Sequence, residues 1–170
     1  FIDRGTQRGI THDRFAEYEE ELSARLAKQG GKRVDIVFVP VVRDQLLPAL
    51  IEGRGDIAAA NLSVTEKRLE EVDFTAPLRA GVSEVLVTGP GSRPVNSMGD
   101  MSGREVYIRD SSSYFESVRR VNDSLTKAGV KPIKVRRADE QLEDEDILEM
   151  VNASLVPATI VDNHVASFWS

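Results

Sequence analysis

Cysteine is absent from the 170 residues, tryptophan occurs once and histidine twice. The first absence excludes disulfides, thiol nucleophiles and cysteine-bound zinc. His12 and His164 stand far apart without metal-ligand spacing, so solvated or capping roles are expected for both. No apolar run approaches the roughly 18 residues of a membrane span, and no stretch has the layout of a secretion signal. Positive charge is in deficit, with 22 Lys and Arg against 28 Asp and Glu, a net charge of −6. That balance argues against nucleic acid as a partner, because phosphate contacts need a concentrated basic face. The one basic cluster, Lys131 to Arg137, has the spacing of the solvated side of an edge strand. Also missing are a G-x-S-x-G elbow, a phosphate-binding loop and a dinucleotide fingerprint, so neither a catalytic residue nor a cofactor is expected. The acidic run Glu140 to Glu149 lacks the central glycine of a calcium loop and reads as a solvated face.

What is present is a chain with 41% hydrophobic residues, enough for one ordinary domain or two small lobes. Thr11 is placed to cap a helix in which Phe15, Tyr18, Leu22 and Leu26 recur at spacings of three and four. Val34 to Val39, closed by Pro40, predicts a strand buried on both faces. Leu46 to Ile51 predicts a helix that tolerates Pro48 only in its first turn. Further strands are predicted at 56–60, 83–88, 105–109, 133–136 and 156–161, and helices after Ser113 and near Asn163, with loop plus helix over 139–149. Gly89 to Pro94 is the strongest break and divides the chain into lobes of 1–88 and 89–170. Strands alternating with helices predict an α/β fold with parallel sheets in both halves. Ligands of such sheets bind beyond the carboxyl ends of the strands, where Ser63, Ser112 and Asp162 fall.

The stretch from Asp56 to Leu78 organises the rest. Small residues at 58–60 lead to a polar loop in which Ser63 and Thr65 offer hydroxyls, and Thr65 is placed to cap a short helix, Glu66 to Val72. Arg68 sits in that helix's first turn. Arginine beside a cap and free backbone N–H groups can grip a carboxylate through two parallel charge-assisted hydrogen bonds. By spacing alone the reading as a surface arginine paired with Glu71 is the stronger of the two. Ser111, Ser112 and Ser113 lie between a strand and a helix, where exposed amides form an anion site or the serines merely cap the helix.

The segment GRGDIAAANLSVTEKRLEEVDFTAPL resembles the signature of the family 3 periplasmic amino-acid-type solute-binding proteins. The resemblance implies a two-lobed, type II periplasmic-binding-protein-like fold, here expected to be truncated at both ends, with the first strand and the return to lobe 1 missing. It implies that Arg68 holds a ligand's α-carboxylate, and that Asn61 and Ser63 contribute a backbone carbonyl and a hydroxyl. By the same resemblance Ser111, Ser112 and Ser113 replace a "Gly-Thr-Thr" carboxylate grip, and Arg109 matches a basic or polar position before it. Asp162 matches the aspartate that accepts the ligand's α-ammonium. Arg43 stands where many members place a stacking aromatic, which implies a polar or acidic ligand moiety, and Phe1 matches an aromatic wall.

The second half is also similar to a narrower group, the receptor-like domain fused to membrane-bound lytic murein transglycosylases of the F type, through DSSSYFESVRRVN and LEDEDILEMVNASLVPATIVDNHVASFW. Glu116-Ser117 is not followed by that enzyme's glycan-cleaving motif, so this stretch is not expected to cleave glycan. The implied role is an extracytoplasmic, periplasmic module that closes on a small zwitterion, an amino acid or a cell-wall peptide, next to a fused transglycosylase domain. The alternatives are a free receptor delivering to an ABC permease and a stand-alone cell-wall enzyme.

Overall fold

The structure, a computed structural model, describes residues 2–169. In chain order its elements are β1 (Ile2–Asp3), β2 (Thr6–Gln7), α1 (Ile10–Ala27), α2 (Leu46–Ile51), α3 (Glu66–Leu69), β3 (Glu84–Thr88), β4 (Glu105–Ile108), α4 (Ser113–Lys127), β5 (Lys134–Arg137), α5 (Asp144–Asn152), β6 (Ala158–Asp162) and α6 (Asn163–Trp169). Pro48 is the third residue of α2, inside the first turn, where a missing N–H leaves no intrahelical bond unmade. Thr11 lies inside α1 instead of capping it; the helix starts at Ile10 after Gly9, without a side-chain cap.

Two ladders build the second half. β4 and β5 pair in parallel, Val106 opposite Val135. β3 and β6 pair antiparallel along their whole length, Glu84 opposite Asp162 and Thr88 opposite Ala158. The expectation of parallel sheets in both halves is therefore corrected: β3, read from sequence as the close of the first half, bonds to the penultimate element of the second. The Thr159 hydroxyl of β6 donates to the Tyr107 carbonyl of β4 at 2.8 Å and ties the two ladders together. Met101, Val106, Ile108, Val118, Ile133 and Ile160 pack into one core between these strands and α4. Each such side chain contributes about 1.5–3 kcal/mol on leaving water. The Asn122 side chain accepts from the Ile133 amide at 2.7 Å and donates to the Ile133 carbonyl at 2.9 Å, which fixes the approach to β5 against α4.

The first half is packed more thinly, and α1 buries none of its residues. Residues 34–39 form no strand ladder among the described residues. They run extended along α1, where Ser23 Oγ bonds both the Val34 amide and carbonyl at 3.1 Å and Glu19 accepts from the Ile36 amide at 2.6 Å. Phe38 packs its ring on His12 and Phe15, while Val37 and Val39 face outwards, so the segment is covered on one face and not on both. Residues 56–60 likewise join no ladder among those described. Alanine offers a pleated surface little to pack, and Ile57 is exposed.

Candidate functional site

A cleft of about 220 Å³ opens between the α2–α3 region and the ends of β4 and β6, lined by Arg43, Asn61, Ser63, Arg68, Arg109, Ser111 to Ser113 and Asp162 among others. Nine of the ten residues singled out from sequence thus share one wall or another of it, and Phe1 lies outside the described residues. Its size, below the roughly 300–1,000 Å³ of drug-sized sites, restricts the guest to a small molecule.

Arg68 is positioned by a single helical turn. Thr65 caps α3 by accepting the Arg68 amide at 3.3 Å, and the shortness of the helix, which ends at Leu69 instead of the expected Val72, turns the side chain inwards. Arg68 is 8% exposed, and its guanidinium donates to two carbonyls, Ser63 O at 2.8 Å and Ser111 O at 3.1 Å. Among the described residues it has no carboxylate within ion-pair distance. Burial lowers its pKa, the Glu116 carboxylate opposes this and Arg43 adds to it. A desolvated cation bonded only to neutral oxygens has unmet demand for an anion.

Asp162 stands opposite, at the end of β6. The residue is 6% exposed, and its carboxylate accepts one long bond, from Ser63 Oγ at 3.5 Å. Its amide donates to Tyr114 Oη at 3.1 Å, and Tyr114 Oη donates in turn to Asp144 at 3.0 Å. Burial, together with the Asp144 and Glu84 carboxylates and against His164, raises the Asp162 pKa. Burial also pushes the Tyr114 hydroxyl upward, with Asp144 and Asp162 adding to it, so it stays a neutral donor. The sign for Asp162 follows from proton linkage. Its native form holds a proton to higher pH than its unfolded form, so this group's contribution to stability falls as pH rises through the raised pKa. Asp162→Asn is therefore expected to melt no lower than the parent at pH 7; a clearly lower melting temperature would show that the carboxylate is stabilised by its surroundings.

The other candidates divide between the cleft and its scaffold. Asn61 adopts a left-handed backbone, φ 51°, which an Asn tolerates better than most residues and which lets the chain turn at the cleft rim. Ser112 is the N-cap of α4, accepting the Phe115 amide at 3.3 Å and donating to the Arg109 carbonyl at 2.7 Å. Ser113 is buried at the cleft, in the first turn of α4, where helix N–H groups have no acceptor of their own. Ser111 presents its carbonyl to the cleft through Arg68, while its amide and hydroxyl bind Glu140 at 3.1 and 2.5 Å. The expected free amide at Ser111 is thus already occupied by an internal carboxylate. Arg109 is 3% exposed and engages the Leu142 carbonyl and Asp144, leaving its Nε without a partner.

Arg43 is likewise committed: Nε donates to Glu143 at 2.7 Å and Nη1 to the Ala60 carbonyl at 3.0 Å. These bonds occupy Nε and Nη1 and hold Arg43 at the cleft wall, and its expected preference for an acidic ligand moiety is a matter for ligand titration. The solvated face expected over 140–149 is present at Glu143, Glu145, Asp146 and Glu149, while Glu140, Glu143 and Asp144 each also hold a residue at the cleft. No periodicity in the acidic run shows these bonds; cations that lose water need carboxylates, and the run is where the fold supplies them. Tyr114 was also missed as a polar group, since its spacing in α4 is that of an apolar stripe.

The architecture, two α/β halves meeting at a polar cleft, is that of the type II two-lobed binding fold. The solved structure of an ancestral arginine-binding protein bound to arginine superposes with a TM-score of 0.66 at 26% identity, over 99% of this chain and 66% of that one. Residues 3–155 match the family described as bacterial extracellular solute-binding proteins, family 3, and the chain belongs to that family. Among curated relatives, a membrane-bound lytic murein transglycosylase F of Maricaulis maris is 28% identical over 151 residues, 89% of this chain and 31% of the relative. A probable histidine-binding protein of Campylobacter jejuni is 23% identical over 135 residues, 76% of this chain and 52% of the relative. The chain thus spans about a third of the transglycosylase relatives it matches. No helix among the described residues is long and apolar enough to cross a membrane.

Proposed function

We propose that this domain binds a small zwitterion, an amino acid or the end of a cell-wall peptide, in the cleft between its halves. The observation that carries the proposal is the pair of buried opposite charges across one small cleft, Arg68 with no anionic partner and Asp162 with a single long hydrogen bond. In this reading Arg68 and the first-turn amides of α4 take the α-carboxylate, while Asp162, Ser63 Oγ and the backbone at Asn61 take the α-ammonium. Arg43, Arg109 and Ser111 shape the cleft through their internal bonds. The lobes divide at the turn after Thr88, with the amendment that β3 bonds to the second lobe's β6. Closure is favoured because the guest touches both lobes only when they are shut.

The context we propose is periplasmic, as the sensory module of a lytic transglycosylase, supported by the transglycosylase relatives that align over most of this chain. The histidine-binding relative supports a second reading, a receptor serving an ABC permease. A ligand-dependent change in glycan cleavage by the full-length protein favours the first, and ligand-dependent capture of a permease the second. The zwitterion itself is tested by calorimetry with free amino acids against their N-acetyl and α-amide forms. Blocking either end is expected to weaken binding about 100-fold, or ~2.8 kcal/mol. Equal affinity of blocked and free forms would remove the assignment.

A further inference from the structure

The buried phenol of Tyr114 makes two directed bonds that meet at the end of β6. Its hydroxyl donates to Asp144 Oδ2 at 3.0 Å and accepts from the Asp162 amide at 3.1 Å. Burial and the two nearby carboxylates keep that hydroxyl protonated, so the direction of both bonds is fixed. The other oxygen of Asp144, Oδ1, is held by the buried Arg109, which also donates to the Leu142 carbonyl. A chain of bonds therefore runs from Arg109 through Asp144 and Tyr114 to the backbone of Asp162, and all four residues line the cleft. The strand ladder takes the following amide, Asn163, to Ser83 O at 2.8 Å and leaves the Asp162 amide to the phenol. The Asp162 carboxylate has only its 3.5 Å bond from Ser63 Oγ, so its placement depends on the backbone that carries it. Arg68, at the other end of the cleft, bonds to Ser63 O and Ser111 O, neither of which belongs to this chain of bonds.

From this arrangement we infer that Tyr114 is a positioning residue for the amine end of the guest: it fixes the backbone of Asp162, and with it the carboxylate that receives the ammonium, while Arg109 and Asp144 hold the phenol in place. The inference rests on the zwitterion reading above and adds to it the residue that sets the geometry at one end. Its consequence is one-sided. Loss of the phenol oxygen disturbs recognition of the amine and leaves recognition of the carboxylate, which Arg68 provides, as it was.

The test is calorimetric titration of the full-length protein with the tightest binder among the twenty L-amino acids and the dipeptide D-alanyl-D-alanine, and with the N-acetyl and α-amide forms of that compound. In Tyr114→Phe, which keeps the ring and removes one oxygen, the preference for the free amine over its N-acetyl form is expected to fall about tenfold, the usual scale for unpairing a buried hydrogen bond. The preference for the free carboxylate over the α-amide is expected to stay within about threefold of the parent. Equal loss of both preferences is what a merely structural role gives and overturns the inference, as does an amine preference that the substitution leaves unchanged. Added to Asp162→Asn, Tyr114→Phe is expected to alter the amine preference by less than about threefold, because its effect passes through Asp162. An undiminished effect in that background means that the phenol meets the guest itself, and overturns the positioning assignment. Should Tyr114→Phe not fold, Asp144→Asn takes its place: it keeps an acceptor for the phenol but loosens it, and the same one-sided loss is expected, with an unchanged or two-sided result overturning the inference. A parent protein that binds free and blocked forms alike removes the zwitterion reading, and this inference with it, before any variant is compared.

Discussion

Arg68→Ala loses about two to three orders of magnitude in ligand affinity while the protein stays folded. Truncating one partner of a desolvated, hydrogen-bonded charge pair costs roughly 2–5 kcal/mol, and each 1.4 kcal/mol is about a factor of ten. A loss well inside that range is expected here because Arg68 is 8% exposed and the two oxygens its guanidinium already contacts are neutral carbonyls, one in each half of the chain. The lost side chain also withdraws the donor that joins Ser63 to Ser111, so lobe closure and carboxylate binding weaken together. Arg68→Lys is expected to recover little, since an ammonium cannot reproduce the planar fork that serves two carbonyls and a guest at once. Calorimetry on both variants decides it; affinities within threefold of the parent would sink the carboxylate assignment.

Arg109→Ala is the substitution expected to cost most in stability. Arg109 is 3% exposed, its partner Asp144 retains 17% side-chain exposure, and the guanidinium also holds the Leu142 carbonyl. Removing it leaves a largely desolvated carboxylate without its cation and with Tyr114 Oη as its side-chain donor; roughly 3–5 kcal/mol is the usual loss for a broken buried pair. In a domain of this size 1 kcal/mol moves the midpoint by about 2–4 °C, so thermal melting is expected to drop by ~6–20 °C. Arg109→Met combined with Asp144→Leu is expected to regain part of that loss, because it removes both charges and not one. A single Arg109→Ala variant that melts within 2 °C of the parent would mean that water compensates Asp144.

The elements most legible in the sequence are those that depend on near neighbours along the chain. α4 declares itself through Tyr114, Val118, Val121 and Leu125 and the serine before it, and Ser112 is its cap. The Thr65 to Arg68 turn is legible because a hydroxyl cap and a basic residue three places on form a local unit, whereas the place of Arg68 inside the cleft came from the family resemblance and not from spacing. Pairing direction was not legible, since nothing within Glu84–Thr88 says that its partner lies some seventy residues later in β6. Burial on one face or two was not legible either: Val34 to Val39 reads as a core strand, yet Glu19 and Ser23 of α1 satisfy its amides. The destinations of Glu140, Glu143 and Asp144 are tertiary facts of the same kind, set by which cations lose their water nearby.

The Arg43 to Glu143 contact has a kinetic meaning. It joins residues one hundred positions apart, on opposite sides of the cleft mouth, with side chains 23% and 51% exposed. In the proposed cycle of closure and opening, separating the halves breaks this contact. Attraction between half-wetted charges is screened by salt within a Debye length of about 8 Å at physiological ionic strength. Added salt is therefore expected to loosen this clasp modestly, while the drier groups beneath it are screened less.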